Sequence, residues 1–259
     1  MPEDEGPSRV IIYSRGEHAQ AEMANELKSR DKHNRLRFFI GDVRDRDRLK
    51  RALSGVDVVI HAAALKRIEV GQYNPTEMVK TNILGAMNVI EAAHDAGVKK
   101  VVALSTDKAW QPISPYGQSK ALAETLFLNA YRSIFGPIFA VTRYGNVWKS
   151  AGSVVPFWQN LLKQGCTGVP VTDPDATRFF MTMDHALDFV LETIDTMAGG
   201  ELKIPDLPAY RLGDLVEAMG AKPEIIGLPS YEKKHESMCE DNCSATAPRL
   251  SVEELRAAL

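Results

Sequence analysis

Tyr116 and Lys120 stand four residues apart in Pro-Tyr-Gly-Gln-Ser-Lys, and a short polar run, Ser105-Thr-Asp-Lys108, precedes them. Four residues is about one helical turn, so phenol and ammonium share a face. A lysine so placed lowers a phenol's pKa and can hydrogen-bond a cofactor ribose, leaving Tyr116 able to take a hydroxyl proton near neutral pH. That chemistry suits redox work on a sugar or alcohol. Taken alone the spacing is common on solvated helices, and Asp107-Lys108 alone reads equally as a solvated turn pair.

The surrounding elements decide between these readings. Val101 to Leu104 is an apolar run of strand length, and Pro115 opens a helical pattern extending to Phe135, so Tyr116 and Lys120 sit just beyond the carboxyl end of a strand. Open parallel sheets hold ligands at that place. Further strands are expected at Val10–Tyr13, Leu36–Ile40, Val56–His61 and Ile138–Thr142, and helices at Glu17–Ser29, Asp45–Leu53 and Pro75–Ala96. Strand and helix alternate and the strands are almost wholly apolar, which predicts an α/β fold with a parallel sheet covered on both faces. From Gly152 the elements shorten. The expected division is residues 1–145 as the nucleotide-binding part and 146–259 as a smaller mixed substrate lobe.

The chain has 259 residues, 44% of them hydrophobic, and a net charge of −3. That balance gives no electrostatic reason to expect nucleic acid or an anionic membrane. No apolar run approaches the length of a membrane span, and the acidic, proline-containing start is unlike a secretory signal, so the expected location is the cytoplasm. Three cysteines are too few for a disulfide framework at this size. His235, Cys239 and Cys243 stand four apart, as ligands on a helix would, but Asn242 and the acidic run between the cysteines argue for a loop, and no metal site is assigned.

Ser105-Thr-Asp-Lys108 and Tyr116-x-x-x-Lys120, with Ala62-Ala-Ala-Leu-Lys66 before them and Arg143-Tyr-Gly-Asn-Val147 behind, resemble one family. It is the extended short-chain dehydrogenase/reductases, and within them the inverting UDP-N-acetylglucosamine 4,6-dehydratases. Arg37 to Asp45, Tyr73-Asn-Pro75, Lys80-Thr-Asn82, Gly152-Ser-Val-Val-Pro156 and Thr177-Arg-Phe179 extend the match. The resemblance implies a Rossmann-like doubly wound sheet. It implies that Tyr116 deprotonates the sugar 4-hydroxyl, Lys120 holds a nicotinamide ribose, Lys108 removes the C5 proton, Asp107 protonates the departing 6-hydroxyl and Thr106 positions the sugar.

By the same resemblance Asp42 and Val43 would contact adenine, the backbone of Ala62, Ala63 and Ala64 would approach the cofactor, and Lys66 and Tyr144 would also line its cleft. Lys66, Asn146, Ser153, Val154 and Arg178 would meet substrate. Ser14-Arg15 ends a strand where a nicotinamide enzyme chooses between a ribose 2′-hydroxyl and a 2′-phosphate. A hydroxyl beside a guanidinium suits phosphate, so NADP is the expected cofactor, ahead of NAD.

Three departures from the family stand out. Its first strand, glycine-rich turn and helix, which bind pyrophosphate, have no counterpart ahead of Val10, so the sheet is expected to lack its first βα unit. Strands flanking such a gap would lie about 9–10 Å apart unless the sheet closes up or another chain completes it. Ala151, and Pro229-Ser-Tyr-Glu-Lys233, stand where the family has arginine-bearing segments. The leading expectation is a nucleotide-sugar dehydratase that forms homo-oligomers through the Pro75 and Pro115 helices. The alternatives are a silent binding protein on the same fold and a nucleotide-sugar epimerase.

Overall fold

The computed structural model describes residues 6–130 and 136–259, so the predicted end of the Pro115 helix, residues 131–135, lies outside the described residues. The first part alternates β1 (Val10–Ser14), α1 (Glu17–Leu27), β2 (Leu36–Ile40), α2 (Arg46–Ala52) and β3 (Val58–His61). Then come α3 (Ile68–Tyr73), α4 (Pro75–Met78), a π-helical turn (Val79–Leu84) and α5 (Gly85–Ala96). β4 (Lys100–Leu104), a 3-10 turn (Asp107–Ala109), α6 (Pro115–Ala130) and β5 (Ile138–Thr142) follow. The boundaries have local causes: Asp45 caps α2 through the Arg48 amide. Gly97, at φ 72°, ends α5 in the left-handed conformation. Pro115 occupies the first turn of α6 while Ser114 Oγ accepts from the Gly117 amide at 3.1 Å.

The later part contains α7 (Val154–Lys163), β6 (Gly168–Val171), β7 (Thr177–Phe179), α8 (Met183–Thr196), β8 (Glu201–Lys203), β9 (Ala209–Arg211), α9 (Leu212–Ala218) and β10 (Lys222–Ile225). It closes with β11 (Ser237–Cys239), β12 (Asn242–Cys243) and α10 (Val252–Ala258). Trp158, Tyr210, Leu215 and Leu255 form its apolar centre. β9 and the β11–β12 hairpin were not foreseen. Cys239 and Cys243 therefore sit on a hairpin, not a helical stripe, and the His235 ring bonds the Thr177 hydroxyl at 2.8 Å.

β3, β4, β5 and β8 make a four-stranded parallel sheet, and β1 and β2 a separate parallel pair. Along β4 the faces alternate. Val101 and Ala103 pack with α2, α5 and α6 through Leu49, Val89, Ala92 and Phe127, whereas Val102 meets Val190 of α8 on the other face. The sheet does not close up between β1 and β3, the first of the two outcomes expected. Tyr13 and Val56, on either side of the division, are both packed on the α2–α5 core, which holds the two pieces at their own stations. Val58 and Ile60 of β3 are in consequence 39% and 48% exposed. Among the described residues no helix is long and apolar enough to cross a membrane.

Candidate active site

β4 delivers the chemistry. Its hydrogen-bonded register with β5 continues past the strand: the Ser105 amide donates to Thr142 O at 2.7 Å and the Asp107 amide to Tyr144 O at 3.1 Å. The chain then tightens into the 3-10 turn, which Thr106 caps, its Oγ1 accepting from the Lys108 amide at 3.3 Å. The same hydroxyl donates to Asp107 Oδ1 at 2.9 Å, and Lys108 Nζ donates to that oxygen at 3.0 Å. Asp107 is fully buried and its Oδ2 has no partner among the described residues. Asp107 is thus buried and the Lys108 side chain, 19% exposed, is largely covered, so the two are not a solvated turn pair.

α6 brings Tyr116 to this turn. Gly117 permits the approach, since a Cβ there would lie 2.3 Å from the Lys108 carbonyl oxygen. The electrostatics differ from the expectation drawn from spacing. Burial pushes the Tyr116 phenol up from its usual range, opposed by Lys108 and by a hydrogen bond with Thr106, while Asp107 adds to the rise. Lys108, on the preceding turn, thus bears on the phenol. Lys120 instead donates to Leu104 O at 2.7 Å; burial lowers its pKa to about 8, against Glu124, which raises it. Burial would lower Lys108 too, but Asp107 and Glu236 outweigh it and hold the ammonium well above its ordinary value.

Glu236 was not foreseen. It precedes β11, is 2% exposed, and places Oε1 3.3 Å from Lys108 Nζ. Lys233 Nζ lies 3.9 Å from its other oxygen and donates to Trp110 O. Ile68, Lys108, Ile113, Ser114, Tyr231, Lys233 and Glu236 together line a small cavity. Asn82 was known only as part of a motif. From the π turn it bonds both backbone groups of Leu65 and the Ser119 hydroxyl, tying the loop after β3 to α6.

The remaining expected residues fall into two groups. On the substrate side Lys66 Nζ donates to Ala151 O at 2.9 Å, Ser153 precedes α7 and Val154 begins it. Ser153 Oγ and Asn146 Oδ1 are buried without partners among the described residues. Arg178 is 8% exposed and bonds Thr177 O and Lys234 O. Tyr144 is half-buried edge-on to Phe189, and burial raises its phenol. On the β1 side Ser14 Oγ accepts from Gln20, and Arg15 lies 3.8 Å from Asp42. Asp42 is also bound by Arg44 at 2.7 Å, the leading cause of its lowered pKa. Val43 is a core side chain whose carbonyl accepts from Asn88, so its backbone N–H is what it offers a ligand. Ala62 and Ala63 are exposed and Ala64 half-buried at the open edge of β3.

A nicotinamide riboside is matched by the donors at the β4 end: Tyr116, Lys120 and the buried hydroxyls of Ser105 and Thr142, which have no partners among the described residues. The chemistry of this end of the cleft fits that group. Among the described residues no glycine-rich turn stands between β1 and β3 to cradle a diphosphate.

A parallel sheet with a Tyr-x-x-x-Lys helix at the strand ends defines an extended short-chain dehydrogenase/reductase. The chain belongs to the polysaccharide biosynthesis protein family, whose model matches residues 3–253. It is 46% identical over 243 residues to a UDP-N-acetylglucosamine 4,6-dehydratase (inverting) of Campylobacter jejuni, covering 92% of this chain and 71% of that protein. It is 40% identical to a UDP-glucose 4-epimerase of Rickettsia typhi, covering 93% and 72%. Among solved structures, Pen from Bacillus thuringiensis matches with a TM-score of 0.88 at 35% identity, covering 97% of this chain and 90% of Pen. The dTDP-glucose 4,6-dehydratase DesIV of Streptomyces venezuelae, solved with NAD and TYD bound, shares the fold at 23% identity, with a TM-score of 0.80 and coverage of 98% and 87%.

Proposed function

We propose that the protein is a nucleotide-sugar 4,6-dehydratase that acts on UDP-N-acetylglucosamine, inverts C5 and uses NADP. The observation that carries this reading is the Asp107–Lys108 pair beside Tyr116. An epimerase needs only the redox phenol, whereas a dehydratase also needs a base for C5 and an acid for the 6-hydroxyl.

Lys120 and Tyr144 would hold the nicotinamide riboside, and Ser14, Arg15, Asp42 and the Val43 and Ala62–Ala64 backbone the adenosine end. The cofactor, when bound, supplies a hydride acceptor for C4 and a donor to C6. Tyr116 accepts the proton of the 4-hydroxyl as a phenolate, which Lys108 and Thr106 favour against burial. Its raised pKa makes that ionised form scarce at neutral pH, so turnover should rise into the alkaline range.

The 4-keto group then acidifies C5–H. Lys108 passes one proton to Asp107 Oδ1, 3.0 Å away, and becomes a neutral amine. It takes the C5 proton, the C5–H electron pair forms the C5–C6 double bond, and the C6–O bond breaks. Asp107 gives its proton to the departing oxygen, which leaves as water. Lys108 ends as ammonium and Asp107 as carboxylate, as they began; once a hydride is returned to C6, the enolate takes a proton at C5 from the opposite face, which inverts that centre, and Tyr116 releases the proton it took from the 4-hydroxyl.

Purified protein incubated with UDP-N-acetylglucosamine and NADP, or NAD, should form a product lighter by one water on mass spectrometry. A mass-neutral change of configuration would mean an epimerase, and no change with either cofactor would mean a silent protein. Tyr116→Phe should cut turnover by about 10²–10⁴ while UDP binding by calorimetry persists. Association of copies through the Pro75–Ala96 segment and α6 belongs to the same proposal, supported by the exposed Val79, Met87 and Leu122; light scattering tests it.

A further inference from the structure

Lys108 sits between two carboxylates, and the scheme above employs only one. Glu236 reaches it from 128 positions along the chain. Its placement is built: the Glu236 amide donates to Ser244 Oγ at 2.9 Å and its carbonyl accepts from the Ser244 amide at 2.8 Å. Ser244 Oγ is in turn 2.7 Å from Thr177 Oγ1. The carboxylate is 3% exposed, one oxygen on Lys108 and the other without a hydrogen-bond partner among the described residues. A buried carboxylate held against a largely covered ammonium favours the charged form of that ammonium.

We infer that Glu236 is a positioning residue that couples C5 proton abstraction to water loss, by keeping Lys108 charged until it hands its proton to the hydrogen-bonded Asp107. The inference rests on the dehydratase reading. If Lys108 lost its proton to solvent, it could still take the C5 proton, but Asp107 would be a bare carboxylate with no proton for the 6-hydroxyl. The sugar would then form an enolate, regain a proton at C5 and return unreacted. Of the two carboxylates it is Asp107 Oδ1 that accepts a hydrogen bond from Lys108, at 3.0 Å, whereas Glu236 Oε1 stands off at 3.3 Å as an ion-pair partner, so the proton Lys108 gives up passes along the bond to Asp107 and the base becomes free as the acid becomes loaded. The other charged or titratable groups facing Lys108 do not replace it. Arg178 on β7 and Lys233 are cations, Arg178 opposing the charge on Lys108, and Tyr116 on α6 and Tyr210 on β9 have phenols that burial raises.

The test follows two outputs in D2O, deuterium at C5 of recovered UDP-N-acetylglucosamine and loss of water. Wild type should show little exchange relative to dehydration at every pH. Glu236→Gln keeps the volume and removes the charge, and so removes one of the two attractions that hold the Lys108 ammonium above its ordinary value. Its ratio of exchange to dehydration should therefore rise about tenfold or more at alkaline pH, with substrate affinity unchanged. Glu236→Asp, which keeps the charge, should fall between. Glu236→Ala loses the same charge and serves if the amide variant fails to fold by circular dichroism. A role limited to holding the hairpin would depress both outputs together and leave the ratio at the wild-type value, which would overturn the inference alone. A wild type that removes no water would overturn the dehydratase reading and the inference with it.

Discussion

Lys120→Met turns the burial of one ammonium into a measurable slope. Lys120 is 6% exposed, and its pKa falls from 10.5 to about 8 because burial outweighs the attraction of Glu124. The unfolded chain therefore binds more protons than the folded one between these values, and stability rises with pH across that window. The full depression corresponds to about 3 kcal/mol, present below pH 8 and gone above the unfolded pKa. At about pH 7 nearly all of the penalty is present, and at about pH 9.5 more than half of it has gone. Methionine carries no charge and removes this term, while the Leu104 carbonyl that accepts from Lys120 at 2.7 Å loses its donor, at a cost of about 1–3 kcal/mol that does not depend on pH. His61, lowered to about 3 by burial and then by Lys120, stays neutral throughout and adds nothing. Urea unfolding of both proteins at the two pH values should show wild type gaining about 2 kcal/mol on the variant. A difference between them that is the same at both values would refute the claim that the buried ammonium carries this cost.

Arg143 and Glu124 form a buried bidentate pair, with the Arg143 Nε bond at 2.9 Å and a further bond to Met238 O, so Arg143→Met should cost about 3–5 kcal/mol. Arg143→Met combined with Glu124→Leu should recover much of that loss in chemical denaturation, because no charge is then left alone. Gly117→Ala forces a Cβ to 2.3 Å from the Lys108 carbonyl and 3.0 Å from Pro112, and should cost about 1–3 kcal/mol and lower kcat by shifting the neighbouring Tyr116. Not one residue of β1 or β2 is buried, whereas Val101, Val102 and Ala103 of β4 are, so amides of β1 and β2 should exchange hydrogen well before those of β4 in mass-detected exchange.

What the sequence disclosed follows from how local each feature is. β1 to β5 are continuous apolar runs, and Asp45, Gly97 and Pro115 mark helix ends through backbone chemistry that needs no tertiary context. Thr106, Asp107, Lys108, Tyr116 and Lys120 lie within fifteen residues, so one strand, one turn and one helix bring them together. Glu236 has no such cover: it arrives through a hairpin whose pairing and whose Ser244 and Thr177 anchors are distant in sequence. An acidic residue three after Lys233 was the only hint. The π turn is illegible for a different reason, since it depends on Asn82 bonding Leu65 and Ser119, partners on other elements. Spacing pointed to Lys120 but could not show that Lys108 also bears on Tyr116, because distance along one helix says nothing of a lysine brought up from the preceding turn.

The two sides of the cleft differ in rigidity, and the difference bears on which step is vulnerable. The groups assigned to proton transfer hang from β4, whose three middle residues are buried, and from α6, whose Phe127 and Ala123 are locked in the main core. Ser14, Arg15, Asp42 and Val43, assigned to adenosine, follow β1 and β2, which among the described residues pair only with each other, while the Ala62–Ala64 backbone faces them from the end of β3. A ligand that contacts both sides must bridge the open edges of β1 and β3 and so stabilises the pair by mass action. Loosening β1 and β2 should consequently weaken dinucleotide binding before it disturbs the arrangement of Asp107, Lys108 and Glu236, because the latter is anchored entirely on the other side of the division.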